Sequence, residues 1–221
     1  MIKVRPLIEV LGKIIKLPKN SYLDPTTLGS GTPSSSNWLR GDGSWQPLPS
    51  TTNTGLFAQT ANSAAITATT TEGTLIDGGV GGLIVPANTF AVGDSFMASM
   101  SGIISAKNND TLTIRVKSGS VVLGTTGAVT MPGITAKHFD LTIHFTIRAI
   151  GAAGVASIVC SGDITYSKDA SNAFEGADFS TINTTTFSTT TSNTLDITAQ
   201  WSSNDALNSI YSELFVLNKI Y

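Results

Sequence analysis

Phe139-Asp140-Leu141-Thr142-Ile143-His144-Phe145-Thr146-Ile147-Arg148 sets an apolar side chain at every second position of the run. Successive side chains of a strand point to opposite faces, so this spacing predicts a β-strand with one face in a core. Leu112, Ile114 and Val116 repeat the pattern against Thr113, Arg115 and Lys117. Leu195, Ile197, Ala199 and Trp201 repeat it against Asp196, Thr198 and Gln200. Phe96, Ala98 and Met100 give a further strand, and residues 209–220 are apolar on both faces, as a central or intersubunit strand would be. Turn-forming residues separate the runs at Asn108-Asn109-Asp110, Thr125-Thr126-Gly127, Gly151–Gly154 and Ser203-Asn204-Asp205. From residue 56 onward the pattern predicts about eight strands and no helix, an all-β antiparallel sandwich of jelly-roll type. Gly78-Gly79-Val80-Gly81-Gly82 lacks the Lys-Ser/Thr pair and following helix of a phosphate loop, and reads as a turn.

Composition points the same way. Charged residues make up 13% of the chain, against roughly 25% in ordinary soluble domains. Threonine runs at positions 69–71, 184–186 and 189–191 favour strands, because a branched Cβ is stiff in a helix. Mean hydropathy is +0.17, yet no apolar run approaches the ~20 residues of a membrane helix, so no membrane insertion is expected. Excess apolar surface on a charge-poor β protein suggests burial between subunits; the alternative is a monomeric sandwich with an unusually neutral surface. Cys160, the one cysteine, ends the largely apolar run 155–160 and reads as a buried structural thiol.

The net charge of −2 is unevenly spread. Lys3, Arg5, Lys13, Lys16 and Lys19 face only Glu9 in the first nineteen residues, a local +4 that leaves −6 for the remainder. This basic segment, residues 1–24, reads as an attachment segment that docks on an acidic protein surface. Nucleic acid is the weaker partner, since no aromatic platform is interleaved with the five cations. The apolar run 7–11 is broken by Glu9 and followed by Gly12 and more lysines, so no secretory signal is expected and synthesis in a cytoplasm fits.

Residues 25–55 hold Pro25, Pro33, Pro47 and Pro49 and read as a punctuated linker before a head at 56–221. Within them lies Gly31-Thr32-Pro33-Ser34-Ser35-Ser36-Asn37-Trp38-Leu39-Arg40-Gly41-Asp42-Gly43-Ser44-Trp45. A flexible linker has nothing to bury aromatics against, so Trp38, Leu39 and Trp45 are expected to pack on something, another copy of the chain first. Asp42-Gly43 is the expected turn, with Arg40 placed to stack on a tryptophan. Arg40-Gly41-Asp42 also spells the tripeptide that integrins recognise in other proteins, but these backbone needs account for it.

That fifteen-residue stretch resembles the G-T-P-S-S-S-x-(F/W)-L-R-G-D-G-(S/T)-W element of fibre and other surface proteins of tailed phages and some large DNA viruses. Residues 191–202 with Asn208-Ser209-Ile210 are more loosely similar to the ending of β-structured heads in such proteins. The resemblance implies a virion surface protein made in the host cytoplasm, usually a homotrimer. It would be held on a capsid or tail protein by its N-terminus and would display a C-terminal globular head.

Chemistry is sparse. His138 and His144 share one face of one strand about 20 Å apart, too far for one metal site. No H-E-x-x-H, G-x-S-x-G or Cys-x-x-Cys occurs, and no cofactor motif. Acidic pairs such as Asp163 with Asp169, or Asp205 with Glu213, have the residue types that glycoside cleavage uses, and isolated surface acids are the commoner case. No catalytic site is expected. A loop at 167–178, with Tyr166, Phe174 and Glu175, is the expected ligand-facing element if the head contacts a host glycan or receptor. Three readings follow: a trimeric fibre, a glycan- or receptor-binding module, and a capsid-cementing protein without a recognition role.

Overall fold

The computed structural model describes residues 8–10, 13–15, 28–33, 37–39, 41, 43–47, 54–168 and 173–221. The chain divides into two compact units, Met1–Thr51 and Thr52–Tyr221. In the first, β1 (Ile8–Val10) pairs antiparallel with β2 (Lys13–Ile15), and β3 (Asn37–Leu39) with β4 (Trp45–Pro47).

The second unit opens with β5 (Thr54–Gln59), then the short strands β6 (Ile66–Thr67), β7 (Gly73–Thr74), β8 (Gly79–Gly81) and β9 (Ile84–Val85). Next come β10 (Ser95–Ala106), β11 (Thr111–Ser118), β12 (Val121–Thr125), β13 (Val129–Thr130) and β14 (Ile134–Ala149). It closes with β15 (Ser157–Ser167), β16 (Phe174–Asn183), β17 (Asn193–Trp201) and β18 (Ser209–Lys219). A large sheet runs β16-β15-β14-β10-β18-β5-β8, with β6 also on β18. A smaller one runs β12-β11-β17-β7, with β13 on β11 and β9 on β17. Every strand pairing among the described residues is antiparallel, and none of those residues is helical. The unit is an all-β, sandwich-like fold.

Alternation builds the core as the sequence predicts. Register sets Phe96 against Phe145, Ala98 against Ile143 and Met100 against Leu141 on the inner face of the large sheet. It sets Leu112 against Trp201, Ile114 against Ala199 and Val116 against Ile197 on the small one. All twelve are buried in one continuous cluster, each large side chain contributing about 1.5–3 kcal/mol by leaving water. The indole Nε1–H of Trp201 donates to Ile66 O at 3.1 Å, so the largest core residue keeps no unpaired polar atom. β18 lies between β10 and β5; Ile210, Phe215 and Leu217 are buried on its inward face, while Leu214 stays exposed.

Two expectations need correction. The glycine run at 78–82 is not simply a turn: residues 79–81 form edge strand β8 on β5. A Cβ at Gly79 would lie 2.2 Å from Ala58 O, and one at Gly81 (φ +99°) 2.1 Å from Leu56 O, so only glycine lets this edge approach. Nor is 167–178 a loop. β15 runs through Ser167 and β16 begins at Phe174, with Ser167 opposite Phe174.

Candidate functional site

The described residues of the fifteen-residue motif include a pair of short strands. Leu39 lies opposite Trp45 and Trp38 opposite Gln46, making a small hairpin. Ser30 N–H donates to Gly43 O and Trp45 N–H to Ser30 O, both at 2.8 Å, so the chain before the hairpin lies alongside it through a parallel Ser30–Ser44 bridge. Asn37 Nδ2–H donates to Thr32 O at 2.7 Å. The approach is close enough that a Cβ at Gly29 would meet Gly43 O at 2.2 Å and Leu39 Cδ1 at 2.6 Å. Gly43 has φ +77°, which suits the turn expected there. Leu28 and Leu39 stay exposed in the single chain, and Trp45 is half-buried. Lys3, Arg5, Lys16, Lys19, Arg40 and Asp42 lie outside the described residues, and Lys13 is placed only as the first residue of β2.

At the tip of the β15–β16 hairpin the structure brings together Tyr166, Phe174 and Glu175, though not as a ligand-facing trio. Tyr166 is 3% exposed, because it continues the inward parity of Ile158, Cys160 and Ile164 along β15. Its hydroxyl donates to Glu175 Oε2 at 3.4 Å, and burial, then the Glu175 charge, pushes its pKa up to about 12. Lys168 Nζ pairs with the other Glu175 oxygen. Phe174, at 71% exposure, is the one member of the trio whose ring faces solvent.

Two polar networks stabilise loops. Glu72 accepts from the Thr198 hydroxyl and faces Lys117 Nζ at 3.0 Å and Arg115 Nη1 at 3.3 Å. The Thr198 hydrogen bond, then the two cations, hold its carboxyl below the usual value. Asn208, fully buried, receives Lys107 N–H on Oδ1 at 2.9 Å and donates to Asp110 Oδ2 at 2.8 Å. Ser203 also donates to Asp110, and Lys107 Nζ pairs with Asp205 at 2.9 Å. Asp205 is thereby committed to Lys107 and to the Leu207 N–H, and Asp169 lies outside the described residues. His138 and His144 both face outward on β14, His138 Nδ1 lying 3.5 Å from Asp140 Oδ2. Cys160 has no exposure, and burial pushes its thiol up to about 12, the state of an inert structural cysteine. Among the described residues, no three His, Cys, Asp or Glu side chains gather to hold a metal.

Sequence reasoning missed an apolar cavity of about 90 Å³ between the sheets. Four of its walls are a chain of rings. Phe145 stacks on Phe96 at 5.0 Å between centroids, Phe96 meets Phe90 edge-on at 6.1 Å, and Phe90 meets Phe187 at 6.2 Å. No sequence signal joins residues so far apart along the chain.

Comparison with known proteins finds no matching family model, no matching curated protein and no matching solved structure.

Proposed function

We propose that this chain is a virion structural protein, a homotrimeric fibre docked on a capsid or tail protein through residues 1–24 and displaying the head at 56–221. The observation that carries this reading is the Gly31–Trp45 motif, whose resemblance to virion fibre proteins spans every position. Its folding into a hairpin closed by backbone hydrogen bonds fits a recurring structural element better than a linker. The exposed Leu28 and Leu39 supply surface for a neighbouring copy or an attachment partner. Jelly-roll character is supported by nested pairing: β10 with β18, β11 with β17 and β14 with β15, while Asn183 of β16 donates to Val122 O of β12 at 3.1 Å. The meander β14–β15–β16 stays within one sheet, where a strict jelly roll alternates between two.

In this reading the chain has no catalytic role and needs no cofactor; its place is the particle surface after cytoplasmic synthesis. Immunogold labelling of particles from the source, with antibody raised against the head, tests it. Label at fibre tips is the expected result, and unlabelled particles would refute a virion role. A capsid-cementing protein would label the shell instead, and loss of the gene would then weaken the particle. The exposed Phe174 favours a second role for the same fibre, contact with a host glycan or receptor, since an aromatic face packs on a sugar ring. A glycan array probed with the trimer checks it; binding that survives Phe174→Ala would remove Phe174 from that role.

A further inference from the structure

We infer that the cavity between the sheets is a binding site for a small apolar molecule, a single ring or short alkyl chain, reached by displacing the glycine-rich strap at residues 79–85. The inference does not depend on the virion reading. Leu56, Leu83, Leu195 and Leu217 complete walls already formed by the four phenylalanines. The polar residues at the rim are all engaged: Lys117 with Glu72, Ser118 Oγ–H to Asn193 Oδ1 at 2.8 Å, and Asn193 Nδ2–H to Ser188 O and Thr191 O at 2.9 Å. Among the described residues, no buried side-chain polar atom lacks a partner.

The lining, almost wholly apolar, therefore offers little to hold water. A buried water needs roughly 2–4 polar partners, and apolar cavities that lack them stay dry and accept guests such as xenon or benzene. The volume of about 90 Å³ is below the ~150 Å³ known to admit benzene, so xenon or a short alkyl chain fits the cavity as it stands, and a single ring fits only where outward movement of the strap enlarges it. With no charged group free inside, the guest is uncharged where it enters.

The strap supplies the door. It joins the two sheets, β8 pairing with β5 and β9 with β17. Around the connection, Gly82 N–H donates to Leu56 O at 2.8 Å and Leu195 N–H to Leu83 O at 3.0 Å. Glycines at 78, 79, 81 and 82 contribute no side-chain packing, so the strap can lift while the long strands β10 and β14 keep their pairing.

The test is titration of the full chain with benzene, and separately with xenon, read by methyl NMR and by melting temperature. Saturable shifts confined to the leucine, isoleucine and valine methyls of the lining are expected. At tenfold excess over Kd, the melting temperature should rise by about 3–6 °C. Leu83→Phe, on the strap rather than a core strand, fills the space and should abolish the shifts. If that variant misfolds, Leu123→Ala serves instead, enlarging the cavity and shifting the preference to toluene. Absence of saturable shifts with both probes would overturn the inference, as would equal shifts in Leu83→Phe. So would a guest that lowers the mass of an oligomer, since the occupant would then be a side chain from a neighbouring copy.

Discussion

In the head, Phe139, Leu141, Ile143, Phe145 and Ile147 are buried because alternate residues of one strand face a second sheet. In the motif-bearing unit, Leu28 and Leu39 remain exposed, and the chain is drawn together by backbone bonds between Ser30, Gly43 and Trp45. The head thus carries its own core, whereas the described part of the small unit is held by backbone bonds around glycines and leaves Leu28 and Leu39 exposed. A fold made by side chains is sensitive to what is removed from it. A fold made by close backbone approach is sensitive to what is added.

The sharpest way to break this contrast is to hollow the head. Trp201→Ala removes a fully buried ring and should cost about 3–5 kcal/mol in urea unfolding; a loss below 1 kcal/mol would mean that the core is not continuous. Asn208→Ala leaves Asp110 and the Lys107 N–H without their buried partner, and about 1–3 kcal/mol should be lost in the same assay.

Acid sharpens the role of that network. Asp110 is held below its usual value by the Ser203 hydroxyl, then the Asn208 amide; Asp205 is held there by the Leu207 N–H, then Lys107. A carboxyl depressed in the folded state adds stability above its unfolded pKa, and that stability is lost as pH falls through the folded value. Melting temperature should therefore drop below about pH 4, and the drop should be shallower in Asn208→Ala. A flat acid profile would contradict the assignment.

Smaller effects test the surface. Asp163 and Asp178 are opposed on neighbouring strands, both exposed, and like charges so placed repel. Asp178→Thr should stabilise the head by about 0.2–1 kcal/mol, read from the urea midpoint; destabilisation would show that the pair is not in contact. The smallest expected effect is the most discriminating. Gly29→Ala puts a Cβ against Gly43 O and should alter Trp45 fluorescence, while the melting temperature of the head stays within about 1 °C of wild type. Coupled loss of both would merge the two units into one.

Much of the head was legible before its structure. β10, β11, β14 and β17 follow from period-two alternation, β18 from an apolar run on both faces, and Cys160 from its apolar run. Alternation has no purchase on strands of two or three residues, so β6 to β9 stayed hidden, and glycines carry no side-chain parity to reveal β8. Tyr166 was misplaced although Ile158, Cys160 and Ile164 share its parity, because Gly162 interrupts the pattern. Which strands pair depends on contacts between distant segments, such as β10 with β18, and local pattern does not encode them. The motif's hairpin hides for another reason: Gly29 and Gly31 answer to the backbone that approaches them and Gly43 to its positive φ, and a sequence shows only that they are there.

The measurement that bears most directly on the account is light-scattering mass of the full chain beside residues 52–221. A fibre predicts about 69 kDa for the full chain, three times the 23.0 kDa protomer, with the head also trimeric. Two monomers would contradict it and leave a self-contained β-sandwich whose small unit must find its partner elsewhere.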